Sequence, residues 1–115
     1  MIEKVHTFDN LGIFITYRIG QDAKDNFDIL ENSSPTDLWF HVLHEPSPHV
    51  VAVLPSNFDR DDLRAIRKQG AVLCKQYSKA ASSKKVAIMC AWVKDVAKTE
   101  IVGSVTVEKF KTITV

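Results

Sequence analysis

The sequence predicts an α+β fold, in which a largely antiparallel mixed sheet of about six strands carries one long amphipathic helix and one short helix. Short runs of alternating or continuous apolar residues, such as GIFITYRIG and HVVAVL, have the composition of strands. A longer segment that begins at residue 56 instead repeats its apolar residues at helical spacing. The length of 115 residues suits one domain, 1–115, with a core of its own.

The elements follow one another along the chain with clear turn residues between them. The first-half predictions are strands at 2–7, 12–20, 38–43 and 49–54, and a short helix at 22–34 on which Ala23, Phe27 and Leu30 recur at helical spacing. The second-half predictions are a strand at 86–93 and one or two closing strands in 104–115, with a hairpin turn near 108–110.

The long helix, predicted over 56–81, has an apolar and a cationic face. The apolar stripe consists of Leu63, Ile66, Gly70, Leu73, Cys74, Tyr77 and Ala81. Six basic residues fall within an arc of about 120° beside that stripe: Arg60, Arg64, Arg67, Lys68, Lys75 and Lys79. Ser56 and Asp59 resemble a capping box. Gly70 in mid-helix predicts close packing on the sheet.

Charge is segregated along the chain although the net charge is only +1. Residues 1–63 hold four basic and eleven acidic side chains, whereas residues 64–98 hold nine basic side chains and one acid. The cationic arc continues into Lys84 and Lys85, and Lys94 follows. Phosphate contacts need clustered lysines and arginines, so this segment indicates either a nucleic-acid partner or a merely solvated basic surface.

The compartment predicted from the sequence is the cytoplasm. No apolar run approaches the roughly 20 residues that span a bilayer, and the first residues lack the apolar region of a signal peptide. Cys74 and Cys90 lie in a predicted helix and a predicted strand. We therefore expect two reduced, buried thiols and no membrane partner.

Three histidines, His41, His44 and His49, lie close together in PTDLWFHVLHEPSPHVVAV. With Asp37 or Glu45 they offer the ligand types of a zinc site. On a strand, however, His41 and His44 face opposite sides, and His49 meets His41 only if the two strands pair around the EPSP turn. Two imidazoles without a third ligand make a weak site, so no metal or other cofactor is predicted.

The predicted positions of the candidate nucleophiles also argue against nucleophilic catalysis. Cys74 together with His41 or His49 has the residue types of a thiol enzyme, but it lies beside the apolar stripe, where a small buried residue belongs. No nucleophile elbow, glycine-rich phosphate loop or CxxC motif occurs. The chain is predicted not to be an enzyme, with a His-based metal-dependent enzyme as the last alternative.

Two ordered motifs resemble the NFACT-R domain, a module of NFACT ribosome quality-control proteins that also occurs as a stand-alone protein. The first is DLWFHV, followed seven residues later by HVV, and the second is YSKA with a Ser- and Lys-rich link into a strand. The likeness runs from about Ile13 to Val115. The matching positions are Asp37, Trp39, Phe40, His41, His49, Tyr77, Ser78, Lys79, Ala80 and Lys94.

This resemblance implies a non-enzymatic RNA-binding module that acts with tRNA or rRNA in translation or ribosome quality control. The expected phosphate contacts are the basic residues Arg64, Lys68, Lys75, Lys79, Lys84, Lys85 and Lys94. Trp39, His41 and His49 are expected to shape the adjacent surface or to stack on a base. DNA remains an open partner, and the alternative from another class is a protein-interaction adaptor without nucleic-acid contact.

The chain departs from the family pattern in two places. The family's Pro-Gly-Ser-His loop is Pro46-Ser47-Pro48-His49 here, so any role that needs a flexible backbone before His49 is in doubt. Gln21 and Asp22 follow Gly20 where the family has a basic residue and an asparagine. We expect this second departure to weaken a phosphate contact.

Overall fold

The computed structural model describes all residues, Met1–Val115, and confirms the α+β class. The elements in chain order are β1 (Ile2–Phe8), β2 (Ile13–Ile19), α1 (Ala23–Glu31), β3 (Leu38–Val42), β4 (Val50–Val53), α2 (Leu63–Gln76), β5 (Ala87–Trp92), β6 (Val96–Lys98), β7 (Val105–Val107) and β8 (Lys111–Thr114). Two single-turn 3₁₀ helices, Arg60–Asp62 and Val93–Asp95, precede α2 and β6. No helix is both long enough and apolar enough to cross a membrane.

Six strands form one sheet in the order β1-β2-β4-β3-β5-β8, and every pairing is antiparallel. The short strands β6 and β7 form a separate hairpin. The sheet separates two apolar clusters. A core of 19 buried residues lies between the sheet and α2, and a cluster of five lies on the opposite face, under α1 and the β6–β7 hairpin.

The position of α2 on the sheet is fixed by Gly70, which has no side chain, and by the buried hydroxyl of Tyr17. A Cβ added at Gly70 would lie 2.2 Å from Cζ of Phe40, so the helix rests directly on that ring. The hydroxyl of Tyr17 on β2 donates to the carbonyl of Ile66 at 2.9 Å. The predicted close packing at Gly70 is confirmed, and α2 runs along the sheet from the Trp92 end of β5 toward the Ala87 end.

The short helix α1 covers the opposite face and begins as its sequence predicts. Asp22 caps it, because its carboxylate accepts from the backbone N–H of Asp25 at 2.8 Å. At the far end, the ammonium of Lys98 on β6 bonds Glu31 and lies 5.1 Å from the centroid of the Phe27 ring. The hairpin and α1 are therefore tied together over this face.

The predicted bounds of the long helix were wrong at both ends. Asp59 provides the side-chain cap, accepting from the N–H of Asp61, and Ser56 lies in a preceding turn. At the other end the α-helix stops at Gln76, because Ser78 accepts from the N–H of Ala80 and donates to a helix carbonyl. Lys79 and Ala81 consequently lie outside the helix.

The predicted closing hairpin was also wrong, although both of its strands exist. β7 pairs with β6, and β8 pairs with β5 at the sheet edge, so the two closing strands do not pair with each other. The 3₁₀ turn Val93–Asp95 carries the chain out of the sheet after β5. It thereby frees 96–98 to pair with β7.

Candidate nucleic-acid interface

A cleft of about 720 Å³ lies at the end of the sheet where β2 and β3 finish and β4 begins. It is lined by the residues that follow β2, the first turn of α1, the β3–β4 loop, the turn after α2 and the tip of the β6–β7 hairpin. Its lining includes Gly20, Asp22, Asn26, His41, Ser47, His49, Tyr77, Ser78, Lys79 and Val102. The two sequence motifs, DLWFHV…HVV and YSKA, therefore converge on one cleft.

His41 and His49 meet across the β3–β4 turn, as predicted. The register pairs Trp39 with Val51 and Phe40 with Val50, which places His41 opposite His49. Their ring centroids are 5.2 Å apart in an edge-to-face arrangement. His44 does not belong to this pair, and it lies in the exposed turn after β3 with φ of +62° rather than on a strand.

Both rings are held by hydrogen bonds through Nδ1. The indole N–H of Trp39 donates to Nδ1 of His49 at 3.1 Å, and Nδ1 of His41 lies 2.6 Å from the carbonyl oxygen of Val42. Trp39 also stacks on His41, with ring centroids 5.7 Å apart and planes 12° apart. These contacts fix the orientation of both imidazoles.

Burial keeps these imidazoles neutral. It lowers the pKa of His49 to about 3, and the neighbouring His41 adds to that effect. Burial also lowers the pKa of His41, against a smaller opposing effect of its hydrogen bond to Val42. Neither ring therefore contributes positive charge to the cleft near neutral pH.

The backbone around His49 is anchored by neighbouring elements. Its carbonyl accepts from the N–H of Gly20, and its N–H donates to the side-chain oxygen of Asn26 on α1 at 3.2 Å. Any side chain at position 20 would collide with Asn26, since an added Cβ would lie 2.0 Å from that amide oxygen. Asn26 was not predicted as a site residue. The signal that could have indicated it is a polar residue on the inner face of a short helix.

The β3–β4 loop keeps a structured serine despite its departure from the family pattern. The hydroxyl of Ser47 accepts from the N–H of Val42 at 3.0 Å and donates to the carbonyl of Pro48. Ser47 thus closes the loop against the end of β3. The position before His49 is taken by a proline, and the serine one residue earlier supplies the loop contact.

Trp39 and His49 do not have the exposure that stacking on a base requires. Trp39 is 1% exposed and His49 is 2% exposed, so neither presents a ring face to a ligand. His41 is half-buried and lines the cleft. The direct contact expected of all three is therefore available only to His41 and to the polar edge of His49.

Other motif residues have structural roles. Asp37 is buried at the opposite end of β3, where its carboxylate accepts from the N–H groups of Ser34 and Leu54. Phe40 lies fully buried under α2. Tyr77 is the C-terminal capping residue of α2 and packs against the main core while lining the cleft.

Four predicted cations lie between the last turn of α2 and the start of β5, and we call them the cationic rim: Lys75, Lys79, Lys84 and Lys85. Lys79 lines the cleft, and Lys79 and Lys85 both border a second, smaller depression next to it. The ammonium of Lys75 donates to the carbonyl of Val115, which also accepts from the N–H of Val86, next to Lys85. These contacts bring the end of α2 next to the start of β5, and the role of the four lysines in binding stays a prediction.

The remaining predicted cations do not join the rim. Arg64 and Lys68 lie on the first half of α2, and Arg64 is about 16 Å from Lys75 along the axis at 1.5 Å per residue. Lys94 follows β5 at the end opposite Lys85, and six residues of strand span roughly 20 Å. The predicted cations thus fall into the rim and a second group, Arg64, Lys68 and Lys94, around which lies what we call the basic end.

The basic end includes three residues outside the predicted phosphate contacts: Arg67, Lys109 and Lys111. The guanidinium of Arg67 lies 5.6 Å from the centroid of the Trp92 ring. Lys111 on edge strand β8 and Lys109 line the same shallow groove as Arg67 and Trp92. A strand prediction without pairing partners could not bring 109–111 next to α2.

None of the predicted cations is neutralised within the molecule. The ion pairs of the structure join the N-terminal amine to Asp25, Arg18 to Glu3 and Lys98 to Glu31. The cleft itself is lined by one cation, Lys79, and one anion, Asp22, so any further attraction of phosphates there must come from the rest of the rim.

A metal centre finds little support in this geometry. No group of three or more His, Cys, Asp or Glu is arranged to hold a metal ion. The buried thiols are also unsuited to nucleophilic attack, because burial raises the pKa of Cys74 to about 12 and that of Cys90 to about 11.

Comparison with known proteins agrees with the motif assignment. The family model described as the NFACT protein RNA binding domain matches residues 4–109. A solved structure, the C-terminal part of the fibronectin/fibrinogen-binding protein from Streptococcus suis, shares the fold with a TM-score of 0.81 at 24% identity. That alignment covers 98% of this chain and 44% of the Streptococcus chain, so this chain spans less than half of it. No curated protein is similar enough to count as a match.

The family match covers nearly the whole chain and includes both motifs that meet at the cleft. This chain therefore belongs to the family of NFACT RNA-binding domains.

Proposed function

We propose that the chain is a non-enzymatic module that binds RNA through the cationic rim and the cleft beside it. The carrying observation is that Lys79 lines the cleft on which both family motifs converge, and that neither it nor the other rim lysines form an ion pair with an acidic side chain. Unpaired ammonium groups attract phosphates, and releasing the counterions of the RNA strengthens binding at low salt. Family membership supports RNA as the ligand class.

The proposal extends to the kind of RNA and to the setting. We assign structured RNA, either tRNA or rRNA, and a role in translation or ribosome quality control within the cytoplasm. The support is the family itself together with a surface that offers phosphate contacts and a cleft large enough for one nucleotide. A pull-down of RNA from cytoplasmic extract, followed by sequencing, would recover tRNA or rRNA fragments above the level in total RNA.

Reversing two charges of the rim tests the binding surface. In a Lys84→Glu/Lys85→Glu variant we expect weaker binding to all RNA sequences, because phosphate contacts are independent of the base. The slope of log K against log salt should fall by about 1.4, at about 0.7 per lost contact with a single strand. Fluorescence anisotropy with labelled RNA at several salt concentrations measures both quantities.

A matched control separates local contacts from net charge. Lys4→Glu/Lys24→Glu changes the net charge by the same amount at exposed positions outside both the rim and the basic end. It should keep most of the affinity of the parent. Equal binding by the rim variant and the parent at low salt would rule out the proposed surface.

A protein-interaction adaptor is the second candidate, and one surface feature favours it. Val5 on β1 and Phe14 on β2 are 63% and 68% exposed, and the strand register puts them on the same face of the sheet. Partners that remain bound after RNase treatment and are lost in Phe14→Ser would support this adaptor role. Partners that RNase releases would support RNA.

A further inference from the structure

The two imidazoles in the cleft have opposite hydrogen-bonding character at their free nitrogens. An indole N–H can only donate, so Nδ1 of His49 is the acceptor of the Trp39 bond and the proton of neutral His49 lies on Nε2. A carbonyl can only accept, so Nδ1 of His41 carries the proton and its Nε2 is a bare acceptor. The low pKa values of both rings agree with the neutral forms.

Both histidines line the cleft, and they also border a second depression beside the β6–β7 hairpin. No hydrogen bond within the protein uses Nε2 of either ring. The only fully occluded side-chain polar atoms that lack a partner are the Nε atoms of Arg18 and Arg67. Each histidine Nε2 therefore keeps some contact with solvent, although His49 as a whole residue is only 2% exposed.

The Nε2–H of His49 has no acceptor within the protein although the residue is only 2% exposed, so water or a ligand must accept its hydrogen bond. The surrounding contacts hold this N–H in place. Asn26 and Gly20 fix the backbone of His49, and Trp39 fixes its ring from the opposite edge. The donor and the acceptor thus belong to two rings of fixed orientation that line the cleft with their centroids 5.2 Å apart.

We propose that His49 Nε2–H and His41 Nε2 recognise one nucleotide of an unpaired RNA segment, by donating to and accepting from a single group or edge. This inference rests on the proposed RNA binding and specifies its ligand. Two parts of a nucleotide offer a donor and an acceptor together: the ribose 2′-hydroxyl and the amide edge of a base. Lys79 on the cleft wall would hold the adjoining phosphate, and Val102 at the hairpin tip would cover the nucleotide.

Ring-nitrogen NMR tests the pair directly. Long-range proton–nitrogen spectra of the free protein at neutral pH should show His49 protonated on Nε2 and His41 protonated on Nδ1. Saturation with a single-stranded RNA of mixed sequence should shift both Nε2 resonances, and the resonances of His6, away from the cleft, should stay in place.

Binding measurements then distinguish the two sources of the chemistry. If the 2′-hydroxyl is read, RNA should bind about five- to tenfold more tightly than DNA or 2′-O-methyl RNA of the same sequence, and His41→Leu should remove that preference. If a base edge is recognised, the His41→Leu variant should bind RNA and DNA more weakly by the same factor. The parent protein should then bind homopolymers of different bases with different affinities. His6→Leu is the matched control and should change neither preference.

Two results would overturn the inference in different ways. RNA that binds with the expected salt dependence but leaves both Nε2 resonances unmoved would refute the histidine pair and leave the rim intact. The opposite protonation pattern in the free protein would refute it as well. If no RNA binds at any salt concentration, the proposed function itself fails.

Discussion

At the scale of single residues, the three histidines near the β3–β4 turn show how far sequence reasoning reaches. The odd spacing of His41 and His44 and the EPSP turn correctly predicted which two imidazoles meet. Their hydrogen bonds were beyond reach, because they depend on Trp39 and Val42 lying at particular distances from the rings. Burial was also underestimated for Trp39 and His49, since both resemble surface motif residues when seen only in sequence.

The buried, neutral His49 predicts a pH-dependent stability. The pKa of His49 is about 3 in the folded protein and about 6.5 in an unfolded chain. Below pH 6.5 the unfolded state therefore binds a proton at this residue, whereas the folded state does not until the pH approaches 3. Stability should therefore fall as pH decreases through this window, by about 2 kcal/mol between pH 7.5 and pH 5 from His49 alone. His41 acts in the same direction.

Urea unfolding at several pH values measures this loss. His49→Gln removes the titrating group, so its free energy of unfolding should change clearly less over the same range, whatever its absolute stability. A parent protein whose stability is constant from about pH 7.5 to pH 5 would show that His49 is not buried as a neutral ring.

At the scale of elements, predictions held where periodicity alone decides the structure. The apolar stripe of α2 and the alternation of β3 both correspond to buried faces, and Gly70 marks the helix–sheet contact. Failures occurred where an end or a partner matters. α2 stops at Gln76 because Ser78 bonds the backbone of the next turn, and β6 was missed because three residues carry no usable period.

Gly70→Ala tests the helix–sheet contact, because here we expect it to lower the free energy of unfolding, whereas in most helices it raises it. In an exposed helix this change stabilises by about 1 kcal/mol. Here the new Cβ would lie 2.2 Å from a fully buried Phe40 ring, and overpacking costs about 1–3 kcal/mol. We expect a net loss on the order of 1 kcal/mol, measured by urea unfolding.

A second variant makes that interpretation specific. In a Phe40→Leu background the ring that meets the new Cβ is absent, so Gly70→Ala should be neutral or stabilising. The coupling energy from the four proteins then isolates the contact. Additive effects of the two changes would place the cost elsewhere in the helix.

At the scale of the whole molecule, the charge segregation seen in the sequence produces two cationic areas. The rim reaches the cleft through Lys79, and the basic end, with Arg64, Arg67, Lys94 and Lys111, lies at the other end of α2 and β5. The sequence could show that the cations share a segment. The predicted strand at 86–93 already separates Lys85 from Lys94, whereas the β5–β8 pairing that brings Lys111 to the basic end could not be derived from the sequence.

This arrangement predicts that the contribution of the basic end depends on RNA length. α2 is about 21 Å long at 1.5 Å per residue, so a strand must cover several nucleotides to reach from Lys79 to Arg64. In Arg64→Glu/Lys68→Glu we expect unchanged affinity for an RNA of about 4 nucleotides and clearly weaker binding of one of about 20 nucleotides. Anisotropy titrations of both lengths measure the difference, with the Lys84→Glu/Lys85→Glu variant as the case that should weaken both. Equal losses at both lengths would mean that short RNA binds at the basic end, and the assignment of the cleft as the primary contact would then be wrong.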